Sequence, residues 1–190
     1  DPLKIDDMAP LGELLKREDQ VTILHGADYD VVCLKRDFGI HISNIFDTMI
    51  SAQFLGAQNV GLADLIHQYF GHKIDKKYQR HDWASRPLLE EHLEYARGDT
   101  HWLPPLRDVL IRKLEQAGRL DAALEESRLL EHREWSGRTR HPSDFRRVKL
   151  SRTLDDKGLR VLRALWEYRD GAAREMDRPV FRVIPDRLLI

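Results

Sequence analysis

Residues 21–39 read VTILHGADYDVVCLKRDFG and place a short apolar segment, a turn and a helix in immediate succession. Val21–Leu24 is apolar or β-branched at every position, which predicts a strand covered on both faces. Gly26 predicts a tight turn after this strand, and Gly39 is suited to end the helix that follows. Asp30 then lies in the first helical turn, at the carboxyl end of a strand, where open α/β sheets bind their ligands. The segment therefore predicts an α/β domain with a functional edge at Asp30.

The composition excludes several broad classes of protein. The 190 residues contain 31 Lys+Arg and 32 Asp+Glu, a net charge of -1, which excludes a wholly basic nucleic-acid-coating protein. Hydrophobic residues make up 42% of the chain and charged residues 33%, as in a globular protein with a core. The longest apolar run is the four residues Val31–Leu34, whereas a membrane span needs roughly 20. The single cysteine excludes an internal disulfide and a cysteine-built zinc site. Together these features indicate a cytoplasmic, reducing location.

Charge is distributed unevenly along the chain. Residues 1–127 carry 15 Lys+Arg against 22 Asp+Glu, and residues 128–190 carry 16 against 10. An acidic part followed by a basic part indicates two modules with different roles. The alternative is that solvated helix faces differ in charge by chance.

Apolar spacing predicts helices through most of the rest of the chain. The predicted helices run from about Val60 to Phe70, from Leu88 to about Ala117 with an interruption at Pro104-Pro105, from about Leu120 to Trp135, and onward from Thr153. Residues 136–152 lack periodicity and are rich in Arg, Ser and Gly. We therefore predict domains at 1–135 and 153–190, joined by a linker at 136–152.

Tyr95 and Asp99 form a pair that could carry chemistry. Four residues turn a helix by about 400°, so the two side chains share one face. A carboxylate can ligate a divalent ion, and a neighbouring phenol can orient a water molecule. Each residue also has an ordinary interpretation, since such pairs occur on many helices and an Asp such as Asp30 often only offsets a helix dipole.

Four segments follow one another in an order typical of one nuclease family. They are His25–Asp30, Asn44–Thr48, Asp82–Leu88 and Tyr95–Asp99. Over residues 1 to about 135 the series resembles ribonuclease D, in the tyrosine-containing branch of the DEDD 3′-5′ exonucleases. The resemblance implies a ribonuclease-H-like α/β fold.

The resemblance also implies roles for individual residues. Asp30 and Asp99 would be catalytic carboxylates that bind the metal of a two-ion Mg²⁺ or Mn²⁺ site, and Tyr95 would orient the attacking water. Arg86 would contact phosphate. His25 is a separate candidate for contact with the nucleic acid, because its turn lies beside Asp30. We interpret Asp47, in the second segment, as a structural helix cap or loop anchor.

One expected motif does not occur in this sequence. The family's Asp-x-Glu motif supplies two of four metal-binding carboxylates, and no Asp-x-Glu precedes Asp30. The resemblance therefore implies that the chain lacks the first strands of the fold and is inactive by itself. We expect a chain truncated at both ends.

The basic C-terminal part resembles a second module. The spacing of Trp166, Arg169, Arg174, Pro179 and the residues up to Asp186 is similar to the first half of an HRDC domain, a small helical bundle that accompanies ribonuclease D. Arg169 and Arg174 would contact RNA phosphates, although solvated helix arginines are the alternative.

The two resemblances together imply a metal-dependent 3′-5′ exoribonuclease. Its substrates would be RNA, with tRNA precursors expected, and the intact protein would be a monomer. Two other classes stay open: a non-catalytic RNA-binding fragment and a helical protein-interaction module.

Overall fold

A computed structural model describes residues 4–75, 77–137 and 141–190. The chain divides into two compact units, Asp1–Ser136 and Gly137–Ile190. The described part of the first unit is α/β, and that of the second is helical. None of the helices described is both long and apolar enough to cross a bilayer.

The first unit is built around a β-α-β element. Its described elements are α1 (Ala9–Leu15), β1 (Thr22–Leu24), α2 (Asp28–Phe38), β2 (Ile45–Asp47), α3 (Thr48–Phe54), α4 (Leu62–Phe70), α5 (Glu90–His101), α6 (Leu103–Gln116) and α7 (Leu120–Glu131). β1 and β2 are parallel, with Thr22 opposite Ile45 and Leu24 opposite Asp47. The chain crosses between them through α2, which ends at Gly39 with the left-handed φ of 65° that glycine tolerates. The predicted strand and the predicted helix end are therefore confirmed, whereas sequence reasoning missed β2.

The small sheet is covered on both faces. Ile45 packs in one core cluster with Val31 of α2, and the next residue of β2, Phe46, packs in another with Leu65 and Leu106. Consecutive side chains of a strand point to opposite faces, so these two clusters lie on opposite sides of the sheet. Leu24 and Ile23 of β1 likewise pack against the two different clusters, so the predicted coverage of this strand on both faces is confirmed.

The prolines divide the predicted long helix into two. α5 ends at His101 and α6 begins at Leu103, so Pro104 and Pro105 lie in the first turn of α6. Proline is tolerated there because the first N–H groups of a helix have no intrahelical acceptor. The expected interruption is therefore the start of a new helix, and α5 and α6 are separate helices.

The second unit has its own apolar core. It contains short 3₁₀ helices at Asp144–Arg147, Ser151–Thr153 and Asp186–Leu188, and the α-helices α8 (Asp156–Glu175) and α9 (Val180–Val183). Phe145 and Val148 pack with Leu162 and Leu189. Phe145 and Val148 fall in the segment 136–152 that we predicted as a linker. Residues 138–140 of that segment lie outside the described residues.

Candidate functional site

Asp47 joins the ends of the two strands. It is completely buried and caps α3, where its Oδ1 accepts N–H bonds from Met49 (2.8 Å) and Ile50 (3.1 Å). The same carboxylate accepts N–H bonds from Gly26 (3.1 Å) and Ala27 (2.7 Å), in the turn that follows β1. Bonds to a carboxylate are charge-assisted and stronger than neutral ones. The interpretation of Asp47 as a cap and loop anchor is confirmed, and the residue fixes the turn from which α2 begins.

Asp30 lies in the first turn of α2, just after this anchored turn. The side chain is exposed, but partial burial of its carboxyl group raises its pKa, and the negative charge of Asp47 raises that pKa further. A carboxylate whose charge is unfavourable in this way gains more than usual from a nearby cation. Such perturbed acids cluster at functional sites, which supports a role for Asp30.

His25 is the first residue after β1 and is held against the body of the unit. Its Nδ1 lies 2.8 Å from the hydroxyl oxygen of Thr48, which in turn donates a hydrogen bond to the carbonyl of Leu24. Burial lowers the pKa of His25, and the charge of Asp47 opposes this effect. The ring is thus a fixed group beside the Asp30 turn, and its contact with nucleic acid stays a prediction.

Tyr95 and Asp99 interact on α5, as their spacing predicted. The pKa of Tyr95 is raised mainly by burial and further by the negative charges of Asp99 and Asp75. The pKa of the Asp99 carboxyl is also raised by burial, although the residue as a whole is exposed. A cavity of about 470 Å³ lies beside Tyr95 and is also lined by Tyr78 and Trp102. The helix therefore places the Tyr95 phenol at an open cavity, with the Asp99 charge near enough to raise the pKa of that phenol.

Two aromatic rings from the irregular segment before α5 pack against Tyr95. The Tyr78 ring centroid lies 6.1 Å from that of Tyr95, and the Trp83 centroid lies 5.9 Å away. Trp83 belongs to the segment Asp82–Leu88 that contributed to the family resemblance, whereas sequence reasoning did not single out Tyr78. Only their position before the Tyr95 helix could have signalled this contact, because the segment has no periodicity.

Arg86 bonds to its own loop. Its guanidinium donates to the carbonyls of Trp83 (2.8 Å) and Ser85 (2.7 Å). These bonds hold the loop that carries Trp83. The predicted phosphate contact of Arg86 stays a prediction.

The structure separates the two arginines predicted to bind RNA in the second unit. Arg169 is 4% exposed and donates to the Ile184 carbonyl (3.1 Å) and to the carboxylate of Asp186 (2.5 Å). The expected phosphate contact at Arg169 is therefore wrong, because the side chain is enclosed in the core of its unit. The Arg174 side chain is 78% exposed and pairs with Asp170 at 3.4 Å, so a phosphate contact there stays a prediction.

The described residues do not by themselves form a complete metal site. Asp30 and Asp99 offer the hard oxygen ligands that Mg²⁺ prefers. However, within residues 4–75, 77–137 and 141–190 no group of three or more His, Cys, Asp or Glu residues is arranged to hold a metal ion. The two-ion site implied by the resemblance is therefore not reproduced. The roles that the resemblance implies require the Asp30 and Asp99 carboxylates to lie close enough to serve a metal pair, within about 8 Å of each other, and this stays a prediction.

Comparison with known proteins identifies the class to which this chain belongs. The 3′-5′ exonuclease family model matches residues 1–115, and the HRDC domain model matches residues 158–190. The chain belongs to the 3′-5′ exonuclease family and carries an HRDC region. The resemblance that the sequence motifs indicated is confirmed for both parts.

Individual relatives refine this assignment. The chain is 33% identical over 191 residues to ribonuclease D from Desulfotalea psychrophila, covering 100% of this chain and 51% of the relative. It also resembles the crystal structure of the catalytic core of RRP6 from Trypanosoma brucei, with a TM-score of 0.85 and 33% identity over 93% of this chain and 50% of that one. The Brucella melitensis NrnC structure with bound Mg²⁺ has a TM-score of 0.60 and 29% identity over 65% of this chain and 60% of that one. The chain thus spans about half the length of this ribonuclease D.

Proposed function

We propose that this chain carries part of the catalytic site of a 3′-5′ exoribonuclease, an enzyme that removes nucleotides from RNA 3′ ends by hydrolysis. The observation that carries the proposal is the Tyr95 phenol at an open cavity, with the Asp99 charge acting on it from the same helix, in a chain of the 3′-5′ exonuclease family. The similarity to ribonuclease D supports RNA as the substrate. Asp30, on the anchored turn after β1, would be the third member of the site.

The proposed roles follow from the protonation of these groups. The raised pKa of Tyr95 keeps its phenol protonated near neutral pH, so the hydroxyl can donate a hydrogen bond and orient an attacking water. The raised pKa values of Asp30 and Asp99 reflect carboxylate charges that solvent does not fully stabilise. We assign the two as ligands of Mg²⁺ or Mn²⁺, in keeping with the Mg²⁺ in the NrnC structure.

The second unit would grip the RNA backbone without reading its sequence. Its HRDC match and the exposed Arg174 support this role. Phosphate contacts fix a strand in place without discriminating among bases, which suits an enzyme that trims one nucleotide after another. We propose tRNA precursors as substrates, a monomeric intact protein and a cytoplasmic location.

We propose that the 190 residues alone bind RNA without cutting it. The described residues provide no group of three metal-ligating side chains, and two-metal hydrolysis needs the ions held on both sides of the reacting phosphate. Catalysis would then require further carboxylates to join Asp30 and Asp99.

A trimming assay on the full-length product of the gene tests the function. An RNA oligonucleotide labelled at its 5′ end, with Mg²⁺ present, is expected to give a ladder of products shortened one nucleotide at a time. A DNA oligonucleotide of the same sequence is the matched control and is expected to be shortened more slowly. Internal cleavage of the RNA, or an unchanged substrate, contradicts the proposal.

A further inference from the structure

Aromatic side chains of the segment Lys77–Trp83 pack against the first half of α5. His92, the one buried residue of α5, meets Tyr78 edge-on at 4.8 Å between centroids. The His81 ring lies 3.9 Å from that of His92, tilted by 31°. His92 is itself fixed, because its Nδ1 accepts the backbone N–H of Leu89 at 3.1 Å. The segment therefore packs on His92, a side chain whose own orientation is fixed by a hydrogen bond within the helix.

Tyr95 stands one helical turn beyond His92, within reach of two rings of the same segment. Tyr78 approaches it edge-on, at 82° and 6.1 Å, and Trp83 approaches at 33° and 5.9 Å. Edge-to-face and offset rings at such separations attract each other. Because the two rings meet Tyr95 at different angles, together they restrict rotation of its side chain.

Polar contacts hold the other end of the segment. The Lys77 ammonium lies 3.4 Å from the Glu91 carboxylate and 4.6 Å from the centre of the Tyr78 ring. Tyr78 is therefore held by a cation over its ring as well as by His92, and its position does not depend on Tyr95. A residue fixed independently in this way can impose an orientation on its neighbour.

We propose that Tyr78 and Trp83 are positioning residues that hold the Tyr95 phenol in its reactive orientation; this rests on the proposed function of Tyr95. A phenol that orients water acts only while its hydroxyl stays in place, and small misplacements of such a group cost large factors in rate. The two rings touch Tyr95 and act through it.

The contact is testable on the 190-residue chain by NMR of ring-¹³C-labelled tyrosine. In Trp83→Ala the Tyr95 ring resonances move, since the current of a ring 5.9 Å away is lost. Trp83→Phe restores their positions. Trp135→Ala is the control, since Trp135 lies 4.5 Å from the Arg36 guanidinium, and it leaves the Tyr95 resonances unchanged.

A Trp83→Ala chain with a native circular dichroism spectrum and unmoved Tyr95 resonances overturns the proposal. If that variant does not fold, Tyr78→Leu supplies the same test, because it removes a ring while keeping apolar bulk. The expected result is again a moved Tyr95 resonance, and an unmoved one overturns the proposal.

Activity of the full-length gene product supplies an independent readout. Trp83→Ala is expected to lower kcat for RNA trimming about 10- to 100-fold with KM within about 2-fold, and Trp83→Phe to recover most of the loss. A change confined to KM contradicts a positioning role. If the Tyr95 resonances move as expected but Tyr95→Phe trims RNA normally, the positioning contact stands and the proposed function of Tyr95 fails.

Discussion

Replacing Asp47 by Asn tests whether one buried carboxylate holds the Asp30 turn in place. Asn keeps an oxygen for Gly26, Met49 and Ile50, whose N–H groups all bond to Oδ1, but it places an NH₂ group against the N–H of Ala27. One charge-assisted bond is lost and three become neutral. Hydrogen bonds to charged groups contribute about 1.5–3 kcal/mol and neutral ones about 0.5–1.5 kcal/mol. Burying a neutral amide costs less free energy than burying a charged carboxylate, which offsets part of this loss. We therefore expect a net loss of about 2–4 kcal/mol in the free energy of unfolding.

Urea denaturation of the first unit measures this loss. In a Trp166→Phe background the remaining tryptophans, Trp83, Trp102 and Trp135, all lie in the first unit, so their fluorescence reports on that unit alone. The matched control is Asp37→Asn, which removes an exposed pair with Arg36 and is expected to cost less than about 1 kcal/mol.

Asp47→Asn is also expected to change the pKa of Asp30. The charge of Asp47 contributes to the raised pKa of Asp30, so Asp47→Asn lowers that pKa, as read from the side-chain carboxyl ¹³C shift. An Asp47→Asn chain as stable as the Asp37→Asn control refutes the anchoring role. An unchanged Asp30 pKa in a folded variant refutes the electrostatic coupling.

Three further predictions concern the rest of the chain. Arg169→Ala is expected to lower the free energy of unfolding of the second unit by about 2–4 kcal/mol in urea, since it removes the bonds to Asp186 and the Ile184 carbonyl. Arg174→Ala is expected to leave stability unchanged and to reduce the slope of log RNA affinity against log salt concentration by about 0.7. The reverse pattern contradicts the assignment of the two arginines. A carboxyl group whose pKa is raised by folding destabilises the folded protein at pH 7, so Asp30→Asn and Asp99→Asn are expected to melt up to about 2 °C higher at that pH. This gain disappears below the ordinary Asp pKa of about 3.9, where the carboxyl is protonated in both the folded and the unfolded protein. A gain in melting temperature that grows on acidification contradicts the prediction. The 190-residue chain leaves labelled RNA intact on a gel with either Mg²⁺ or Mn²⁺, and shortened RNA would show that the site is complete without further ligands.

Local patterns account for the parts of the fold that the sequence predicted. β1 is apolar or β-branched at every position, Gly39 ends α2 because glycine tolerates a left-handed φ, and the Tyr95–Asp99 spacing fixes a shared helix face. Each of these features depends on residues within about one helical turn, so it can be read without knowing the tertiary structure.

Features that depend on distant partners could not be predicted in the same way. β2 is only three residues long and is buried at every position, so it shows neither alternation nor a helical period. The burial of Arg169 depends on Asp186, 17 residues away, and an arginine on a helix otherwise predicts a solvated face. The contact of Trp83 with Tyr95 comes from an aperiodic loop, whose course is set by packing rather than by local spacing.

Single-turnover RNA trimming by Asp99→Asn tests the central claim, that the Tyr95–Asp99 pair belongs to the catalytic site of a 3′-5′ exoribonuclease. The assay uses the full-length gene product with Mg²⁺, RNA labelled at its 5′ end, and a circular dichroism spectrum that confirms folding of each variant. We expect stepwise shortening from the 3′ end by the unmodified protein and a loss of at least about 100-fold in rate for Asp99→Asn, while the exposed-surface control Asp37→Asn retains full activity. Trimming by folded Asp99→Asn at the unmodified rate would contradict the claim.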